Sequence, residues 1–251
     1  MEVAELIDAL EEQGDLLARC SEGTDLDLVL PTCPEWRLRD LLDHIGKVHR
    51  WASTYVATGS TTMLSDDEER LIFGQVAADD ELVGWFRSGH RELCRTLRAA
   101  PADLECWSFL PAPSPLAFWA RRQAHETTIH RVDAQGASGP LTATDRLLAA
   151  DGIDELLTGF AARRSKLARD PARTMAVETS DPEDRWLVTL GTERVSAERG
   201  STAQGADCTV FGTASDVYLT LWNRLPASAL AISGDAGILT GFCDKLHIRW
   251  T

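Results

Sequence analysis

The chain has 251 residues, 44% of them hydrophobic, which is enough to bury a proper core in one large domain or two modest ones. Its 39 acidic residues against 25 basic ones give a formal charge of -14, which repels phosphate backbones and anionic membranes and argues against a nucleic-acid or membrane partner, although a local basic pocket for a small anion stays open. Six cysteines, Cys20, Cys33, Cys94, Cys106, Cys208 and Cys243, are scattered without zinc-finger or redox spacing and read as free thiols.

Residues 1–19 read as an amphipathic helix, with Glu2, Glu5, Asp8, Glu11 and Glu12 set among Val3, Leu6, Ile7, Leu10 and Leu16. This is not a signal-peptide pattern, and no run is apolar for long enough to span a bilayer, so a soluble, cytoplasmic protein is expected. Residues 21–36, broken by Gly23, Pro31 and Pro34, read as a loop leading through PTCPEW into a second helix over 37–56. There Leu38, Leu41, Leu42, Ile45, Val48, Ala52 and Tyr55 recur at three- and four-residue steps. This helix carries His44 and His49, five residues apart, so at most one of them points at a given site, and periodicity does not choose between them.

Residues 58–68 read as a loop. A third helix is expected over 80–99, with Leu82, Trp85, Phe86, Leu93 and Leu97 buried despite Gly84 and Gly89. After a proline-punctuated connector, a fourth helix covers 116–134 and a further helical stretch covers 143–167. Beyond it the period changes: 174–179, 185–190, 194–198 and 207–211 alternate apolar with polar residues between the turn signals DPED, GTE and GSTAQG, and read as antiparallel strands. Two helices, 213–223 and 236–245, flank a short strand at 229–232. The expected fold class is a two-domain α+β protein: a helical bundle with an extra helix over 1–170, and a small α+β domain with an antiparallel sheet over 171–251.

The chemistry is concentrated in RRQAHETTIHRVD, residues 121–133. Glu126 and His130 are four apart, about 40° around a helix, so both can aim at one point. His125 and His130 are five apart, roughly 140° around, and cannot share an ion without distortion. A third ligand has to come from elsewhere in the bundle, and the second helix offers a histidine. Two imidazoles and one carboxylate leave a position open for water or substrate, which suits a catalytic Zn²⁺, with other divalent ions possible.

The segments CPEWRLRDLLDHIGKVHRWA (33–52), HETTIHRVDA (125–134) and TASDVYLTLWNR followed by SGD resemble the mycothiol-dependent maleylpyruvate isomerase family. The resemblance covers most of the chain and implies that the N-terminal domain is a DinB-like four-helix metal-binding bundle. It places the metal ligands at His44, Glu126 and His130. It puts Asp133 beside the metal site, where it would orient a ligand or the bound thiol, and makes Arg224 of the C-terminal domain an anchor for an anionic substrate or thiol cofactor. Trp36 and Trp51 are read as packing residues.

The implied activity is that of a metal-dependent enzyme that uses the low-molecular-weight thiol mycothiol as its metal-activated nucleophile. As an isomerase it would add the thiolate reversibly to the cis double bond of an unsaturated diacid; as a thiol S-transferase it would leave the thiol on an electrophile. The competing readings are a non-catalytic metal or small-molecule binding protein and a metal-dependent hydrolase. The acceptor, the metal's identity and the oligomeric state are not legible in the sequence.

Overall fold

The computed structural model describes residues 1–74, 77–201 and 205–248, so the middle of the GSTAQG turn lies outside the described residues. Its contacts divide the chain into two units, Met1–Thr142 and Ala143–Thr251.

The first unit is built on four long helices: α1 (Val3–Ser21), α2 (Leu38–Thr58), α4 (Leu82–Ala99) and α5 (Pro115–Ser138), with a short α3 (Asp66–Phe73) between α2 and α4. Local chemistry sets their ends. The Glu5 carboxylate accepts from the Glu2 amide at 2.8 Å, and the Asp40 carboxylate accepts from the Arg37 amide at 2.8 Å, so each helix start has an acid satisfying an otherwise orphaned N–H. Helix α2 stops at Gly59, whose φ of 65° is left-handed. Helix α5 starts with Ser114 as cap and Pro115 in its first turn.

Apolar stripes on α1, α2 and α4 meet in a core that includes Leu17, Leu41, Leu42, Ile45, Leu82 and Phe86. Helices α2 and α4 approach closely through glycines on each side. A Cβ on Gly46 would overlap the Trp85 ring, and one on Gly89 would overlap the Arg50 guanidinium. Arg50 itself lies 3.8 Å over the Trp85 ring and donates to the Trp85 carbonyl at 2.9 Å.

Two features differ from the sequence reading of this unit. The stretch expected as a loop at 21–36 contains a hairpin, β1 (Val29–Leu30) and β2 (Cys33–Arg37), paired antiparallel. The expected loop at 58–68 runs into α3, because Ser65 and Glu68 form a reciprocal capping box that starts a helix among the four acids of its first turn.

The second unit opens with α6 (Arg146–Asp154), which passes into a π-helical turn (Glu155–Phe160) and two short 3₁₀ turns. The single helix expected over 143–167 is therefore α-helical only in its first part. A five-stranded sheet follows, with β3 (Arg173–Thr179), β4 (Arg185–Leu190), β5 (Val195–Arg199), β6 (Cys208–Gly212) and β7 (Ala231–Gly234) in the spatial order β5-β4-β3-β6-β7. Its pairings are antiparallel except for β3 with β6, which run parallel. Strand β3 is central, and Met175, Ala176 and Val177 along it are all buried. Helices α7 (Ala214–Leu221) and α8 (Ala236–Lys245) complete the unit.

The sequence reading places the division between domains near 170, whereas the contacts place it at 142/143. The switch from helical to alternating periodicity marks a change of secondary structure within the second unit. Helix α6 packs on α7 and belongs with the sheet. Among the described residues, no helix is long and apolar enough to cross a membrane.

Candidate metal centre

His44 comes from the second turn of α2, and Glu126 and His130 come from successive turns of α5, which packs against α2. One ligand atom from each lies within 4.8 Å of the other two. The Nε2 atoms of both imidazoles converge on the same carboxylate oxygen, Glu126 Oε1, at 3.5 Å from His44 and 3.2 Å from His130. Ligand atoms about 2.1 Å from a tetrahedral ion lie roughly 3.4 Å from one another, so these separations are those of a coordination sphere's edges. Glu126 and His130 are buried, while the His44 side chain keeps 15% of its surface exposed and so marks the open side.

His44 Nε2 is buried yet has no hydrogen-bond partner among the described residues. At 3.5 Å its approach to Glu126 is an electrostatic contact and falls short of a hydrogen bond. A buried imidazole nitrogen left without a partner, aimed at a carboxylate and a second imidazole, fits a cation as its missing neighbour.

The ligands are themselves held. Arg122, four residues before Glu126, donates to Glu126 Oε2 at 3.0 Å and leaves Oε1 facing the imidazoles. His130 Nδ1 lies 3.1 Å from Asp133 Oδ2, and the other Asp133 oxygen accepts from the Thr32 hydroxyl at 2.5 Å. With Nδ1–H donating to Asp133, Nε2 is the nitrogen His130 would offer an ion once that nitrogen gives up its proton, the carboxylate–histidine arrangement common at metal sites. Burial would raise the Glu126 carboxyl, but the polar contacts from His130 and His44 and the Arg122 charge outweigh it and hold it well below the usual carboxylate range. Burial likewise would lower His130, yet Asp133 and Glu126 win and push it up to about 9.

The remaining histidines of these helices sit elsewhere. His49 is fully buried, with Nε2 2.9 Å from the Thr127 hydroxyl and its ring 5.3 Å from that of His90. Burial first, and the neighbouring His90 second, keep it neutral. It ties α2 to α5 one residue past Glu126. His125 is buried, and it is not part of the ligand cluster found among the described residues.

A family model described as the mycothiol maleylpyruvate isomerase N-terminal domain matches residues 7–135, and one described as the MDMPI C-terminal domain matches residues 148–240. The chain belongs to the mycothiol-dependent maleylpyruvate isomerase family. Two solved structures share its fold across 94% of this chain and 95% of theirs: a crystal structure of mycothiol-dependent maleylpyruvate isomerase (TM-score 0.64, 14% identity) and one of a histidine-to-alanine variant (TM-score 0.66, 13% identity). No curated protein matches.

Within this maleylpyruvate isomerase fold, three residues that sequence reasoning did not assign to the site belong to it. Arg122 was visible only as one of several arginines, although its position four before Glu126 is the spacing of an intrahelical pair. Thr32 lies in the hairpin that was expected to be loop. Trp36, read as a packing residue, sets its ring 4.9 Å from His44 and 6.1 Å from His130, nearly parallel to the latter. Arg224 stands in the second unit just after α7, where the left-handed Asn223 turns the chain. It is half-buried and donates to the Trp222 carbonyl at 2.8 Å.

Proposed function

We propose that this protein is a cytoplasmic, metal-dependent enzyme whose metal-activated nucleophile is a low-molecular-weight thiol, mycothiol, and which acts as a maleylpyruvate-isomerase-like enzyme or as a thiol S-transferase. The observation that carries the reading is the convergence of His44, Glu126 and His130, with one buried imidazole nitrogen left unpartnered. A divalent ion held there, Zn²⁺ foremost, would lower the pKa of a thiol and so supply a nucleophile at neutral pH.

The chain's own residues prepare that chemistry. Glu126, kept ionised, supplies one negative charge against the ion, and Arg122 fixes which of its oxygens faces inward. Asp133 holds His130 in the tautomer that leaves Nε2 available. Trp36 sets an apolar ring beside the two imidazoles, which lowers the local dielectric. Membership of the family supports Arg224, in the segment matched by the C-terminal family model, as an anchor for the carboxylate of an acid substrate or thiol cofactor. The family membership and the names of the two structural relatives support the choice of thiol and of an unsaturated acid.

The test is to incubate metal-loaded protein with mycothiol and a panel of unsaturated diacids and electrophiles, following isomer by absorbance and adduct by mass spectrometry. Thiol-dependent isomerisation or adduct formation is expected. Cleavage of an electrophile by water without thiol would make the protein a hydrolase, and metal binding with no turnover of any kind would make it a binding protein.

A further inference from the structure

The chain leaves helix α7 through a turn that fixes where Arg224 stands. Trp222 caps the helix, and Asn223 follows with φ at 63°, in the left-handed region. The Asn223 amide donates to the Thr220 carbonyl at 3.0 Å, and the Arg224 amide donates to the Leu219 carbonyl at 2.7 Å. These are the two bonds of a Schellman cap, which forms around a left-handed residue at this position.

Among the described residues, Asn223 is the one non-glycine with a positive φ. Glycine accepts this conformation without steric cost, and asparagine is among the few other residues that visit it. The asparagine amide is used as well. Its Nδ2 donates to the Leu246 carbonyl at 3.0 Å and to the Cys243 carbonyl at 3.3 Å, which ties the turn to the end of α8.

The cap holds Arg224 by both its backbone and its side chain. The Leu219 bond sets the backbone, and the guanidinium donates to the carbonyl of Trp222, the cap residue itself, at 2.8 Å. With a negative φ at position 223 the chain would leave α7 in another direction, and both cap bonds would be lost. The guanidinium would then be carried elsewhere. A carboxylate gripped by a fork is sensitive to such a shift, because paired N–H···O bonds depend on orientation as well as on charge.

Resting on the Arg224 anchor in the thiol-enzyme reading above, we propose that Asn223 is a positioning residue whose left-handed conformation sets the guanidinium of Arg224 for the carboxylate of the acid substrate.

The test titrates the full-length, Zn²⁺-loaded protein with maleate, a cis-unsaturated diacid, by calorimetry. Arg224→Gln is expected to weaken maleate binding about tenfold or more, the effect of losing a hydrogen bond between charged groups. Asn223→Val is expected to weaken it about as much, since a β-branched residue is an outlier at positive φ. Asn223→Gly loses the same amide but accepts the left-handed conformation, and is expected to stay within about twofold of wild type. In the Arg224→Gln background, Asn223→Val should weaken maleate no further, because its effect passes through the missing guanidinium. Asn223→Ala repeats the measurements should the valine variant not fold. Wild-type affinity in the valine or alanine variant, an equal loss in Asn223→Gly, or an undiminished loss in the Arg224→Gln background overturns the proposal and leaves Arg224 as the anchor. Wild-type affinity in Arg224→Gln, or no maleate binding by wild type, removes that anchor and the proposal with it.

Discussion

Asp133→Asn separates the charge behind His130 from the hydrogen bonds around it. Asp133 is fully buried, its Oδ2 is 3.1 Å from His130 Nδ1, and its Oδ1 accepts from Thr32 at 2.5 Å. An asparagine in the same rotamer can still accept from Nδ1–H through its carbonyl, and its NH₂ can donate to the Thr32 hydroxyl once that hydroxyl rotates. These two hydrogen bonds are kept while the negative charge is removed. Removing the carboxylate behind a ligating histidine lowers metal affinity about 10- to 100-fold, or about 1.4 to 2.7 kcal/mol. Thr32→Val removes one hydrogen bond to the same carboxylate but leaves its charge in place, and should cost less, about two- to tenfold. The assay is Zn²⁺ competition against a chelator of known affinity, with circular dichroism to show that the fold is kept. Wild-type affinity in a folded Asp133→Asn protein would refute the role assigned to this carboxylate.

Metal binding is expected to release a proton. In the metal-free protein His130 titrates near 9, so at neutral pH it carries the proton that the ion must displace from Nε2. Apparent affinity should rise about tenfold per pH unit between 7 and 9 and then level off; calorimetry in two buffers of different ionisation enthalpy checks it, and an enthalpy independent of buffer would contradict it. For the metal-free fold the sign is opposite: stability from the paired, charged His130 is complete below its usual 6.5 and is lost as pH rises through about 9. Gly46→Ala should destabilise the bundle, although alanine in a helix interior ordinarily gains about 1 kcal/mol over glycine. The added Cβ meets a Trp85 ring already held under Arg50, so a net loss of about 1–3 kcal/mol, or a few degrees in melting temperature, is expected. A melting temperature above wild type would show that Trp85 can move aside.

The four long helices were legible because each keeps its apolar residues on one stripe or carries clear end signals, and the strands because they alternate. Helix α3 was not, since eight residues are too few to establish a period; its one signal was Ser65 followed three residues later by Glu68. The division at 142/143 was hidden because period reports secondary structure, while a domain is defined by which faces pack together, and α6 gives no sign in its own sequence that it joins a sheet. The parallel β3–β6 pairing joins strands separated by the β4–β5 hairpin, and local pattern says nothing about such distant register.

At the site, Glu126 and His130 could be placed together from spacing alone, because a helix fixes their geometry. The choice between His44 and His49 needed either the family resemblance or coordinates, since each lies at an edge of the apolar stripe. The structure places His44 in the ligand cluster and His49 against Thr127. Trp36 and Thr32 reach the site through a hairpin whose pairing spans only a few residues. Their contribution depends on tertiary contact that no local pattern encodes.

The most direct test of the account is metal analysis, combined with X-ray absorption, of the purified protein and three variants. Wild type should bind about one divalent ion per chain, through two imidazole nitrogens and a carboxylate oxygen. Metal should be lost in His44→Ala and in His130→Ala and kept in His49→Ala. Full occupancy in both of the first two variants would contradict the centre assigned to His44, Glu126 and His130.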